Sequence, residues 1–163
     1  MTPQEQLVES RLRELGIAFE RYEHPPVPTV EEAVQYWRGI DAMHLKNLFV
    51  RNQKGNRHYL VVLEHLKRAD MRAIGDQIGD GKLSFASPER LMTHLGLTPG
   101  SVSPFGLINN ADHQVRVFLD RDLKTAERVS FHPNINTATI VISRADFLRF
   151  LDSAGNAVQY LTV

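Results

Sequence analysis

The chain has 163 residues, 42% of them hydrophobic, with 19 Lys plus Arg balanced by 19 Asp plus Glu. That length and apolar content fit one globular domain over residues 1–163 with a real core. The balance excludes a generic nucleic-acid coat, and the absence of cysteine excludes disulfides, thiol nucleophiles and cysteine metal sites.

No run approaches the ~18–20 apolar residues that span a bilayer. The polar start MTPQEQLVES lacks a signal-peptide pattern. The expectation is a cytoplasmic protein with no membrane partner. Charge is uneven along the chain: between His44 and Arg72 seven Lys or Arg face two acids. This segment either meets phosphates or is an ordinary solvated hairpin face.

Thr2-Pro3-Gln4-Glu5 combines a capping hydroxyl, a proline at the first helical position and a capping-box glutamate, which predicts a helix running to Gly16. Ile17 and Phe19 alternate with Ala18 and Glu20 as in a half-buried strand. HPPVPT, with three prolines in four residues, forces an irregular extended connection. Thr29 and Glu32 repeat the capping-box spacing and open a second helix to Gly39.

LKNLFVRN and RHYLVVLEH, separated by QKG, predict a hairpin from about Leu45 to Glu64. DMRAIGDQI reads as a short helix and KLSFA as a strand; Ser87-Pro88 starts a helix that stops near Gly96. Four strand-like runs follow, FGLIN, QVRVFLD, RVSF and TATIVIS, before Ser143 and Asp146 open a last helix. GDQIGDGK has neither the Walker nor the dinucleotide-binding spacing, so no nucleotide loop is expected. Helices interleaved with a hairpin and late strands predict an α+β fold on a mixed, curled sheet with much antiparallel pairing.

Three patches set polar groups beside β structure. In HLKNLFV, alternation puts Leu45, Asn47 and Phe49 on one strand face and Lys46, Leu48 and Val50 on the other, so Lys46 shares an apolar face. It either snorkels from the sheet edge or has a functional reason to be there. In GSVSPFG, Gly100 and Gly106 permit close backbone approach and Pro104 stiffens the loop, which is either a turn or a cradle of main-chain groups. Ser101 and Ser103 invite a serine-nucleophile reading, but the strand-to-helix G-x-S-x-G elbow is missing if Pro104 leads into a strand. In SFHPNINTATI, His132, Asn134, Asn136 and Thr137 form either a turn-closing network or a set of substrate contacts. The seven histidines show no H-x-x-x-H pair, so no metal is expected.

In this order, HPPVPTVEEA, HLKNLFV, GSVSPFGLIN and FHPNINTATI resemble the YbaK/ProX family of aminoacyl-tRNA editing domains over nearly the whole chain, with most similarity to its free-standing prolyl-tRNA editing branch. The resemblance implies hydrolysis of alanine mischarged onto proline tRNA, on a mixed, mainly antiparallel barrel-like sheet flanked by helices. Its partners would be the acceptor end of a mischarged tRNA and, transiently, prolyl-tRNA synthetase or an elongation factor, with no metal or cofactor. It places the family's lysine at Lys46 beside Asn47, its G-x-x-x-P loop at Gly100–Pro104 and its histidine at His132. Substrate contacts would come from Val27, Val30, Ser101, Val102, Ser103, Pro104, Phe105 and Asn134, and tRNA contacts from Arg51, Lys54 and Arg57. Two alternatives stand beside it: a deacylase of other specificity, such as for Cys-tRNA(Pro), and a non-catalytic tRNA- or synthetase-associated module.

Overall fold

A computed structural model describes all residues, Met1–Val163. Five α-helices, α1 (Pro3–Glu14), α2 (Val30–Trp37), α3 (Met71–Ile78), α4 (Pro88–Leu95) and α5 (Arg144–Ala154), pack around eight strands. The strands are β1 (Glu20–Glu23), β2 (Met43–Asn52), β3 (His58–Glu64), β4 (Leu83–Phe85), β5 (Arg116–Asp120), β6 (Arg128–Phe131), β7 (Ala138–Ser143) and β8 (Val158–Leu161). They form one mixed sheet in the order β1-β7-β6-β2-β3-β5-β8, with β4 added to β2. The pairs β1–β7, β6–β7, β2–β3 and β2–β4 are antiparallel, whereas β2–β6, β3–β5 and β5–β8 are parallel. No helix is long and apolar enough to cross a membrane.

Capping chemistry sets the helix starts. Thr2 accepts from the Glu5 amide while Glu5 reaches back to the Thr2 amide, a complete capping box; Asp70, Ser87 and Ser143 each accept from the third residue onward. Thr29 caps α2 by accepting from the Glu32 amide.

The central strand β3 buries both faces. Along β3, Leu60 and Val62 join the main core with Val8 and Leu12 of α1, Leu95 of α4 and Phe147 and Phe150 of α5. The alternate residues Tyr59, Val61 and Leu63 join a second cluster with Val50, Ile74 of α3 and Leu83. Covering on both sides explains why β3 reads as an unbroken apolar run. A third, small cluster of Val27, Ala33 and Trp37 ties α2 to the proline-rich segment.

Three expectations are corrected. FGLIN is not a strand: Pro104–Asn109 is a 3-10 helix, because Ser103 caps the Phe105 amide and Pro104 occupies the first turn. The first strand starts at Glu20, not at Ile17, because pairing with β7 and ion pairs decide it. Arg21 bridges buried Glu5 and Glu9, and Arg128 meets Glu20. The edge strand β8 and a 3-10 turn at Arg121–Thr125 lie where no element was expected.

Candidate functional site

The site is built around an interruption in the sheet. One edge of β2 is paired with β3 from Leu45 to Arg51. Its other edge meets β6 only at Met43 and His44, and β4 only at Val50–Asn52. Between these partners Leu45–Leu48 border a cavity of about 220 Å³, whose walls also include Val27, Pro28, Val30, Ala33, Trp37, Gly100, Val102 and His132.

The walls are held by main-chain ties across the molecule. The Val27 amide donates to Asn136 O (3.1 Å) and the His24 amide to Thr137 O (3.0 Å), so the turn after β6 fixes the proline-rich segment. Gly100 then approaches that segment closely. It has φ +88°, and a Cβ there would lie 3.3 Å from Pro28 Cα and 3.4 Å from Pro28 O, so glycine suits both conformation and contact. Trp37 stacks on His44 with ring centroids 4.6 Å apart, and His44 Nδ1 pairs with Ser130 Oγ at 2.6 Å, anchoring this wall to β6. Burial lowers the His44 pKa, which keeps the stacked ring neutral.

Lys46 lies on the face of Leu48 and Val50, as strand alternation requires, and its Nζ donates to the main-chain carbonyl of Lys67. That carbonyl sits in a turn fixed by a buried acid. Asp120, fully buried, accepts from the Glu64 amide (2.9 Å) and from Lys67 Nζ (2.8 Å), while Lys67 Nζ also meets Asp122 at 2.7 Å. Burial alone would lower the Lys67 pKa, but the two aspartates outweigh it and raise the value. No carboxylate pairs with Lys46, so its charge is available to an anionic group.

His132 is held the opposite way. Its Nδ1 donates to Ala138 O at 2.8 Å, which fixes the proton on that nitrogen and leaves Nε2 an acceptor. Burial lowers its pKa, with the nearby His24 ring acting in the same direction, so His132 is a neutral hydrogen-bonding group at pH 7. Asn47 Oδ1 is buried and has no partner, as is the Nε1 of Trp37. Unpaired buried polar atoms lining a cavity are places where a ligand can bond.

Lys46, Asn47, Gly100, Val102, His132, Val27 and Val30 thus come together at one cavity. Ser101, Ser103, Pro104, Phe105 and Asn134 do not line it. Phe105 is fully buried in the main core, edge-on to Phe150 at 5.1 Å, and cannot be a pocket wall. Ser103 is also fully buried, its Oγ accepting from the Phe105 amide at 3.2 Å. The absence of a serine elbow therefore rests on this burial and not on a strand after Pro104. Asn134 sits in the turn at φ +63° with its Oδ1 buried and unpartnered.

Arg51, Lys54 and Arg57 lie at the far end of the hairpin. Lys54 and Arg57 border a wholly polar depression with Asn52, Asp80 and Lys82. Arg57 lies 3.8 Å from Asp80, and Arg51 Nη1 donates to Asn52 O and Gln53 O. Sequence reasoning missed Trp37 and Ala33 as walls. Their i, i+4 spacing was legible as one helix face, but not which surface that face meets.

Residues 24–150 match the aminoacyl-tRNA editing domain model. The chain is 42% identical over 155 residues to the prolyl-tRNA editing protein ProX of Acetoanaerobium sticklandii, covering 94% of each. It is 33% identical over 153 residues to the mouse prolyl-tRNA synthetase associated domain-containing protein 1, covering 91% of this chain and 90% of that one. Among solved structures, a candidate trans-editing enzyme for prolyl-tRNA synthetase superposes with a TM-score of 0.73 at 23% identity, covering 100% of this chain and 99% of that one. This last likeness concerns the fold alone. With the domain match over most of the chain and relatives similar along nearly their full length, the protein belongs to the aminoacyl-tRNA editing domain family.

Proposed function

We propose that this protein is a free-standing deacylase that hydrolyses alanine from mischarged Ala-tRNA(Pro), acting in trans to the synthetase. The observation that carries the reading is the convergence of Lys46, Asn47, Gly100, Val102 and His132 on one small cavity. The likeness to ProX supports the prolyl system.

The reaction adds the oxygen of water to the ester carbonyl, breaks the bond from that carbon to the ribose oxygen, and returns a proton to the ribose, releasing alanine and tRNA. An activated ester needs positioning and charge stabilisation more than a protein nucleophile. Lys46 supplies a point charge to the terminal phosphate or ribose end, and Asn47 hydrogen-bonds beside it. Main-chain groups at Gly100 and Val102 face the carbonyl and the attacking water, and the ribose hydroxyl next to the ester helps activate that water. His132 orients the substrate through its unprotonated Nε2. With its pKa lowered it is a weak base but a good acceptor.

Val27 and Val30 form the apolar wall that accepts a methyl side chain and crowds a prolyl ring. Size selection in an apolar pocket yields about 1–3 kcal/mol, so tRNA contacts add to the discrimination. In this reading Arg51, Lys54 and Arg57 meet acceptor phosphates; Arg51 follows Lys46 on the same strand, about 17 Å away at the usual rise. Comparing hydrolysis of alanyl- and prolyl-tRNA(Pro) by the purified protein tests the reading. A non-catalytic synthetase-associated module, suggested by the name of the mouse relative, would bind without turnover.

A further inference from the structure

In an antiparallel pair, alternate residues direct N–H and C=O toward the partner and the others direct both away. The His65 amide donates to His44 O and the Asn52 amide to Arg57 O, which assigns the even-numbered residues of β2 to β3. The odd-numbered residues face the opposite edge, as the bond from the Ala86 amide to Phe49 O confirms.

Asn47 is the odd residue in the middle of the interruption, with β6 ending its pairing at His44 and β4 beginning at Val50. Its N–H and C=O therefore point into the cavity, and no loop or side chain bonds to either. A buried strand in the centre of a sheet ordinarily has both groups paired. Asn47 Oδ1, buried and unpartnered, adds a third free polar atom of the same residue.

We propose that the aminoacyl group docks as a one-residue strand opposite Asn47. Its ester carbonyl accepts from the Asn47 N–H and its α-ammonium donates to the Asn47 C=O, the pair of bonds that a facing residue makes in an antiparallel ladder. In this register the ester oxygen and ribose leave toward the preceding residue of β2, which is Lys46. The second acceptor, Asn47 Oδ1, takes another of the three ammonium protons. A main-chain donor on the ester carbonyl also stabilises the negative charge that develops there when water adds. This rests on the deacylase reading and specifies how that site holds its substrate.

The test is amide hydrogen exchange by NMR on the full ¹⁵N-labelled chain, alone and saturated with 3′-(L-alanylamino)-3′-deoxyadenosine, an uncleavable counterpart of an alanylated 3′ terminus. In the free protein the Asn47 amide exchanges at least about tenfold faster than those of Lys46 and Leu48, which pair with β3. The analogue slows Asn47 by a similar factor, and 3′-amino-3′-deoxyadenosine, without the alanyl group, leaves it unchanged. Protection of Asn47 equal to its neighbours in the free protein overturns the proposal. So does an analogue that perturbs Gly100 and His132 without slowing Asn47, though that outcome leaves the deacylase reading intact. An analogue that perturbs none of the three residues overturns both.

Discussion

Lys46 Nζ donates to the main-chain carbonyl of Lys67, so the pocket lysine is held by an uncharged acceptor in a turn that buried Asp120 anchors through Lys67 Nζ and the Glu64 amide. A carbonyl orients the ammonium without neutralising it. Lys46→Ala removes that charge and one partly exposed hydrogen bond, whose loss costs only about 1 kcal/mol of stability. The expected outcome is loss of nearly all deacylation of alanyl-tRNA(Pro) with a melting temperature close to that of the parent. An active Lys46→Ala protein would remove the electrostatic role.

The serines of the Gly100–Pro104 loop separate structure from chemistry. Ser103 Oγ caps the Phe105 amide in a fully buried site, so Ser103→Ala lowers stability by about 1 kcal/mol, as loss of a cap does. Ser103→Ala and Ser101→Ala both keep most activity at temperatures well below melting. A collapse of about a hundredfold in kcat on losing one hydroxyl, with a trapped acyl-enzyme, would point to a serine nucleophile.

Part of the chain's acid lability is expected to come from a cluster remote from the pocket. His58 is buried with its ring 4.0 Å from that of His94, and Arg90 Nη1 donates to its Nε2 at 3.1 Å. Burial first, then the charges of His94, Arg90 and Arg51, push its pKa down from 6.5 to about 4. Between those values the unfolded chain takes up a proton that the folded chain refuses, so stability falls as pH drops from 6.5 to 4 and is fully present above 6.5. The integrated loss is on the order of 3 kcal/mol. Urea titrations of parent and His58→Gln at pH 7 and pH 4.5 should show a shallower decline for the variant. Parallel declines would remove His58 as the cause.

Charge reversal at Arg51, Lys54 or Arg57 tests the hairpin as a tRNA surface. Each should raise KM for alanyl-tRNA(Pro) more than it changes kcat and should flatten the salt dependence of kcat/KM, because each lost phosphate contact releases fewer counterions. Activity on a short alanyl ester should be unchanged. An unaltered salt slope returns these residues to an ordinary solvated face.

Much of this architecture was legible in the sequence where local signals and packing agree. Thr2, Thr29, Ser87 and Ser143 mark helix starts because capping is local chemistry, and β2 and β3 follow from two β-rich runs around a glycine turn. Where tertiary contacts decide, the reading failed. FGLIN has strand composition, but the Ser103 cap and Pro104 wind it into a 3-10 helix. VQYL carries too weak an alternation to show that it pairs with β5. At the site, Lys46, Gly100 and His132 were legible as motifs. The wall formed by Trp37, the burial of Phe105 and the unpaired edge at Asn47 arise from how separate segments meet, which no local window contains.

The most direct measurement is hydrolysis by the purified protein of tRNA(Pro) charged in turn with alanine, cysteine and proline. Rapid release of alanine, with prolyl-tRNA(Pro) spared and cysteine released far more slowly, is the predicted result. Preferential release of cysteine would contradict the assigned specificity, and binding of all three without turnover would contradict the central claim that this cavity cleaves an aminoacyl ester.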